Sequence, residues 1–294
     1  MQIGFHTSAF TIATWDFEQC LEWANRHDVH FVECGAIDGV TWNHGLGYVP
    51  HVALGEDPLL VRRTLDMYDV QFSQLDTAFP LSRREGANLG VEYVPTIRWA
   101  KLAGCQWVDS TDDRRPPVGM TDRDALVQMR WCYQQILKAA EAYQIVVNIE
   151  PHGRFTTKPD YLAEMLDFAD SPYLRLNMDT GNTFIAGQDP VTFLTRFVDK
   201  VDHVHVKDVS SDLSARMQGK LTGIAVSHCA VGQGVNAENI QRCLEIRAEH
   251  GFDGVISIEC EGQGGPLIEQ SLAWVRDLVA TVNRRVTATK SQGT

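Results

Sequence analysis

Between Ile3 and Arg284 short apolar runs alternate with amphipathic stretches of helical length, and few architectures accept so regular an alternation. Strands are expected near Ile3 to Thr7, Phe31 to Cys34, Gln71 to Asp76, Trp107 to Ser110, Ile145 to Glu150, Leu174 to Asp179, His203 to Lys207 and Val255 to Cys260. Helices are expected between them, near Phe17 to His27, Pro58 to Tyr68, Val91 to Ala103, Asp122 to Tyr143, Pro159 to Ala169, Pro190 to Val198, Ala237 to His250 and Pro266 to Arg284. Pro159, Pro190 and Pro266 suit first helical turns, and Gly104 and Gly251 suit helix ends. Strands separated by helices run parallel. Eight such units in 294 residues, without a linker-like stretch, predict the α/β class and a single (β/α)8 barrel over residues 1–286, followed by a flexible C-terminal tail at 287–294.

Composition narrows the function. A formal charge of -12 and a pI near 5.2 argue against general attraction to a polyanion, so nucleic acid is not expected as a partner. Seven cysteines, an odd number with no CxxC pair, fit free thiols in a reducing compartment. The start, MQIGFHTSAF, has neither a basic region nor a long apolar core, and no stretch approaches a membrane span. A soluble cytoplasmic protein is expected.

Four polar signatures close four successive β-like runs: Asn148-Ile-Glu150-Pro-His152, Asn177-Met-Asp179-Thr-Gly-Asn182, His203-Val-His205-Val-Lys207-Asp208 and Ser257-Ile-Glu259-Cys-Glu261. Side chains alternate between the faces of a strand, so Glu150 shares a face with Asn148, Asp179 with Asn177, His205 with His203, and Glu259 with Ser257. The other face carries Ile149, Met178, Val204, Val206 and Ile258 and suits a covering helix. Parallel strands lie about 4.8 Å apart, so four inward groups at one height can share an ion. Three carboxylates and an imidazole suit Mn²⁺ first and Mg²⁺ second, rather than a closed structural zinc site. Taken singly, each has a plainer role: the carboxylates can cap helices or pair with lysines, and His205 can be a core histidine. His203 is expected one layer deeper, in support of the ligands or the core. Lys207 continues the face toward the barrel mouth, where it either binds a substrate oxygen or pairs with Glu259 or Glu261. His152, two residues beyond Glu150, either acts as general base or bonds loop backbone. The connections Gly35 to Asp57, Thr77 to Gly90 and Asp208 to Asn236 are long enough to cover a site. The last, with Gly219, Gly223, Gly232 and Gly234, suits either a glycine-hinged lid or a flexible excursion.

These motifs resemble the xylose isomerase-like superfamily of sugar isomerases, epimerases and inosose dehydratases, most strongly from Val146 to Glu261. The resemblance implies a TIM barrel with one divalent ion held by Glu150, Asp179, His205 and Glu259, acting on a polyol or keto sugar. Glu150 and Glu259 then join His152 in catalysis, and Lys207, Asn182 and His203 bind substrate. Tagatose-type 3-epimerases carry a His, a Glu and an Arg where this chain has Asn182, Thr156 and Ser211. The stretch from Asp208 to Asn236 instead resembles the branch with the catalytic subunits of C-glycoside deglycosidases, which implies β-elimination from a 3-oxo-glycoside and allows a second subunit or a homo-oligomer. The expected activity is therefore a metal-dependent lyase acting on an oxo-glycoside or an inosose. Ketose isomerisation or epimerisation is the alternative. An endonuclease IV-like repair enzyme and a non-catalytic sugar-binding protein come behind it.

Overall fold

The computed structural model describes residues 1–37, 50–77, 81–82, 86–113, 118–220, 222–223 and 225–292. Among the described residues nine parallel strands form the sheet: β1 Gln2–His6, β2 Phe31–Ile37, β3 His51–Ala53, β4 Gln71–Asp76, β5 Trp107–Ser110, β6 Val146–Ile149, β7 Leu174–Asp179, β8 Val201–Val206 and β9 Val255–Ile258. Their order is β1-β9-β8-β7-β6-β5-β4-β2-β3, and a further pairing of β1 with β2 closes the ring. Eight strands therefore make a closed (β/α)8 barrel, as the alternation of the sequence requires. The ninth, β3, lies outside the ring and pairs with the end of β2 from Gly35 to Ile37. The sequence reading stops β2 at Cys34 and omits β3, because Gly35 resembles a strand end and a three-residue strand has no period to detect.

Local chemistry explains where the helices begin and stop. Asp16 with Gln19, and Thr121 with Asp124, form reciprocal capping boxes at the starts of Phe17–Arg26 and Asp122–Tyr143. Prolines open Pro58–Met67, Pro159–Leu166 and Pro190–Phe197, where a missing N–H costs nothing. Gly104 and Gly251 take left-handed backbone just past two helix ends. The last helix, Pro266–Gln292, runs past Thr287, where the tail was expected to begin, because no glycine or proline interrupts the chain before Gly293. Short helices at Thr180–Ile185 and Ser211–Met217 and a 3₁₀ turn at Thr7–Ala13 also escape the sequence reading, being too brief to show periodicity.

The barrel has two unlike surfaces. On the outside, Ile149, Met178, Val204, Val206 and Ile258 are at most 1% exposed and belong to the main hydrophobic core. On the inside, equally buried residues are polar: Glu33, Gln74, Asn148, Asn177, His203 and Ser257. Gln74 donates to Glu33 (2.9 Å) and Asn148 donates to Gln74 (2.5 Å), so the interior is a bonded network rather than a pore. All seven cysteines are buried and none forms a disulfide, and no helix among the described residues is long and apolar enough to cross a membrane.

Met178 tests this division. Met178→Ala should cost about 2–5 kcal/mol of stability, the range for truncating a buried core side chain, while metal content at saturation stays the same. Urea unfolding paired with metal analysis of the folded protein measures both.

Candidate metal centre

The register of three strands sets the height of the site: Asp179 pairs with His205, and His205 pairs with Ser257, two residues before Glu259. Glu150 follows the last residue of β6, and its amide bonds to Ser110 O (2.9 Å). One ligand atom from each of Glu150, Asp179, His205 and Glu259 lies within 4.8 Å of all the others. His205 is the hub. Its Nδ1 lies 3.1 Å from Glu150 Oε1, 3.3 Å from Glu259 Oε2 and 3.8 Å from Asp179 Oδ2. The opposite ring nitrogen, Nε2, is 2.8 Å from Glu33 Oε2, a bond that turns Nδ1 toward the carboxylates.

The Asp-Thr-Gly-Asn signature is explained residue by residue. Asp179 Oδ1 accepts the Asn182 amide (2.7 Å), capping the Thr180–Ile185 helix, while Oδ2 is left to the site. The plainer capping role and the ligand role thus fall to two oxygens of one carboxylate. Thr180 Oγ1 donates to the carbonyls of His205 and Lys207, tying β7 to β8. A Cβ on Gly181 would sit 2.5 Å from Lys207 Cγ, so glycine alone lets the lysine stem pass. Asn182 Nδ2 donates to Glu150 Oε1 (3.3 Å), and its Oδ1 is buried without a partner.

The other expected residues gather around this cluster. Lys207 is 2% exposed and its Nζ bonds Glu259 (2.9 Å) and Glu261 (2.7 Å), the ion-pair arrangement named as one of its two roles. His203 sits a layer deeper, 3.1 Å from Asn177 Oδ1 and 3.3 Å from Ser257 Oγ. His152 follows Glu150 on the loop, with its Nδ1 buried and lacking a hydrogen-bond partner. Burial, then the charge of Lys207, pushes its imidazole down to about 4, so the ring is neutral near pH 7.

Sequence reading missed Glu33, His6, Asp76 and Asp109. Glu33 interrupts the apolar run Phe31-Val-Glu-Cys, a signal visible beforehand, and it is fully buried against His205. His6 pairs in register with Glu33, and its Nε2 lies 3.7 Å from Asp76 Oδ2. Asp109 accepts from Asn177 (3.2 Å). The connection after β8 also differs from a hinged lid where it is described. Asp208 accepts the amides of Val209, Gly232, Gly234 and Asn236, at 2.8 to 3.0 Å. A Cβ on Gly232 would strike Trp274 at 2.4 Å, and one on Gly234 would strike Asp208 at 2.3 Å. These glycines allow close packing around a carboxylate. Gly219 and Gly223 lie on its earlier part, and parts of the other two long connections, 38–49, 78–80 and 83–85, fall outside the described residues.

The donor set fits a hard divalent cation. Among the described residues Asp179 Oδ2 and Glu259 Oε2 are buried and find no hydrogen-bond partner, a costly arrangement for carboxylate oxygens unless a cation joins them. Burial, then Glu259, pushes Asp179 up to about 6; burial, with Asp179 and Glu259 adding to it, pushes Glu150 up to about 8. Burial works against charge on His205 too, but Glu33 and the three carboxylates outweigh it and raise the imidazole well above its ordinary value. For Glu259, burial is outweighed by Lys207 and His205, which hold it well below the usual range.

Three comparisons bear on this arrangement. A profile of the xylose isomerase-like TIM barrel family matches residues 89–278. An inosose dehydratase of Clostridium botulinum (strain Eklund 17B / Type B) is 24% identical over 127 residues, a match that covers 42% of this chain and only 42% of that protein. Among solved structures, a D-tagatose 3-epimerase-like protein superposes with a TM-score of 0.75 at 19% identity, covering 97% of this chain and 100% of the other. The IOLI protein, solved with a bound zinc atom, gives 0.66 at 14% identity over 98% of this chain and 97% of the other. At these identities the structural likeness establishes the fold alone.

Two outcomes follow from the geometry. Glu33→Gln should weaken divalent-metal affinity about 10- to 100-fold, the usual effect of losing a partner that orients a ligand, with the fold intact by circular dichroism. Calorimetric titration with Mn²⁺ measures it, and unchanged affinity would show that Glu33 does not orient His205. The second outcome concerns pH. Raised carboxyl values mean that protonation stabilises the metal-free fold in acid, and this contribution is lost as pH rises through about 6 for Asp179 and about 8 for Glu150. An ion replaces those protons, so the Tm gain on adding Mn²⁺ should be small near pH 5 and larger near pH 8. A gain that falls with rising pH would contradict the ligand set.

Proposed function

The chain belongs to the xylose isomerase-like TIM barrel family, and from that premise we propose a divalent-metal-dependent enzyme that removes a proton next to the carbonyl of a keto sugar. The observation that carries the proposal is the convergence of Glu150, Asp179, His205 and Glu259 around two buried carboxylate oxygens without hydrogen bonds. Mn²⁺ is the ion proposed from ligand hardness and Mg²⁺ the second choice; the zinc in the IOLI structure makes Zn²⁺ a necessary comparison. What such an ion supplies is Lewis-acid stabilisation of negative charge developing on a substrate oxygen.

The protein's own groups then divide the work. His152, neutral and with an unpartnered ring nitrogen, takes the proton from carbon. The electron pair of that C–H bond forms the enolate; the carbonyl then re-forms as a C=C bond is made to the β carbon, and the β-substituent departs with its bonding pair and takes up the proton that His152 removed. Glu150 and Glu259 would hold the ion, and they lie close enough to His205 to share in proton movement. Asn182 Oδ1 offers an acceptor to a sugar hydroxyl, Lys207 gives positive charge at the mouth, and His203 supports the site from below.

Elimination is favoured over epimerisation by particular residues. The Thr156 hydroxyl is committed to Asp112, and Ser211 is exposed on the Ser211–Met217 helix, so neither position offers what the tagatose-type epimerases have there. The inosose dehydratase match supports the same choice. The proposed reaction is thus dehydration of an inosose or β-elimination from a 3-oxo-glycoside, in a cytoplasmic enzyme whose buried, non-disulfide cysteines suit a reducing compartment.

Metal-loaded protein incubated in D₂O with inososes, 3-oxo-glycosides and free ketoses tests the reaction type. Solvent deuterium uptake with release of water or aglycone from the first two classes is expected; rapid ketose interconversion without elimination would overturn the lyase assignment. His152→Ala should retain metal and lower kcat by about 10² to 10⁴. Unchanged turnover at saturating substrate would exclude it as the base.

A further inference from the structure

The loop that carries His152 is built around a carboxylate outside the ligand set. Asp112, just beyond β5, is 1% exposed. Its Oδ1 accepts the Gly153 amide (3.0 Å), the Thr156 amide (3.4 Å) and the Thr156 hydroxyl (2.6 Å), and its Oδ2 accepts the Phe155 amide (2.6 Å). The Thr156 oxygen, having donated its proton to Asp112, accepts the backbone amides of His152 (2.8 Å) and Gly153 (3.0 Å). Further ties hold the same turn, Arg154 N to Asp113 O (3.0 Å) and Thr157 Oγ1 to Gly153 O (2.7 Å).

Space is shaped to the same end. A Cβ on Gly153 would meet Asp112 Oδ1 at 2.3 Å and its Cγ at 2.4 Å, so the carboxylate reaches beneath the loop only because residue 153 is glycine. Burying an acidic group with so few compensating charges is expensive, and burial pushes Asp112 up to about 6 despite its four donors. Through the Thr156 hydroxyl this network reaches the backbone amide of His152, whose ring Nδ1 is buried without a hydrogen-bond partner among the described residues.

We propose that Asp112, acting through the Thr156 hydroxyl and the glycine at 153, is a positioning residue that fixes His152 in its working orientation. The proposal rests on the role given to His152 above. The mechanism is preorganisation: a base held in place loses less orientational freedom as the proton transfers, and a shift of about 1 Å can cost 10²-fold in rate.

Thr156→Val removes the hydroxyl relay with little change of volume, Asp112→Asn removes the charge, and Gly153→Ala displaces the carboxylate without removing a polar group. Each should lower kcat about 10- to 100-fold with a much smaller change in KM and with bound metal retained, and Thr156→Ser should restore most of the rate. A second readout does not depend on turnover: in ¹⁵N-imidazole NMR the His152 resonances should shift or broaden in the first three variants and return in Thr156→Ser. Normal kcat and normal His152 resonances in Thr156→Val would overturn the inference. If His152→Ala itself turns over normally, the base assignment fails, while the His152 resonances still decide whether Asp112 holds the ring. Should Asp112→Asn not fold, Thr156→Val and Gly153→Ala carry the same two readouts.

Discussion

Buried negative charge crowded around one imidazole is the constraint on which this protein's interior depends. Glu150, Asp179 and Glu259 approach His205 Nδ1 from three strands, while Glu33 approaches Nε2 from a fourth. Such a cluster is unstable as bare charges in a low-dielectric interior. The protein offsets it by raising the imidazole's affinity for a proton, by bringing Lys207 against Glu259 and Glu261, and by allowing Asp179 and Glu150 to hold protons longer than exposed carboxyls would. A divalent ion would answer the same need, since two of these carboxylate oxygens find no hydrogen-bond donor among the described residues.

The rest of the barrel is arranged to keep that cluster in place. Polar residues fill the interior below it and are bonded to one another, from Glu33 through Gln74 to Asn148 and from Asn177 through His203 to Ser257. A network of this kind specifies rotamers more narrowly than an apolar core, because each misplaced group leaves another unsatisfied. The apolar side of the same strands supplies the stability, packed beneath the helices. Strand alternation thus separates the two tasks residue by residue.

Two aspartates organise the rim in the same way. Asp112 gathers the amides of the loop after β6, and Asp208 gathers those of the connection after β8, each buried and each requiring a glycine where the chain closes on it. Loops at the mouth of a barrel are ordinarily its most adaptable parts. Here carboxylates at strand ends serve as templates, so the segments flanking the site are held by the strands themselves.

Eight strands and their helices were legible in the sequence because periodicity and capping are local, as in Gln71–Asp76 and Asp122–Tyr143, whose limits match the expectation residue for residue. The shared face of Glu150, Asp179, His205 and Glu259 was legible for the same reason, since a period of two fixes sidedness before any fold is known. What each residue touches was not. Glu33 lies 172 residues from His205, and Asp112 lies 44 residues from Thr156, and nothing in either strand alone records such a partner. Lys207 between Glu259 and Glu261, Gly181 beneath the lysine stem and the glycines around Asp208 depend likewise on register and closure. Local pattern determined the barrel and the layer of the site; only tertiary packing, which sets distance, burial and competition among charges, decided how its groups are held.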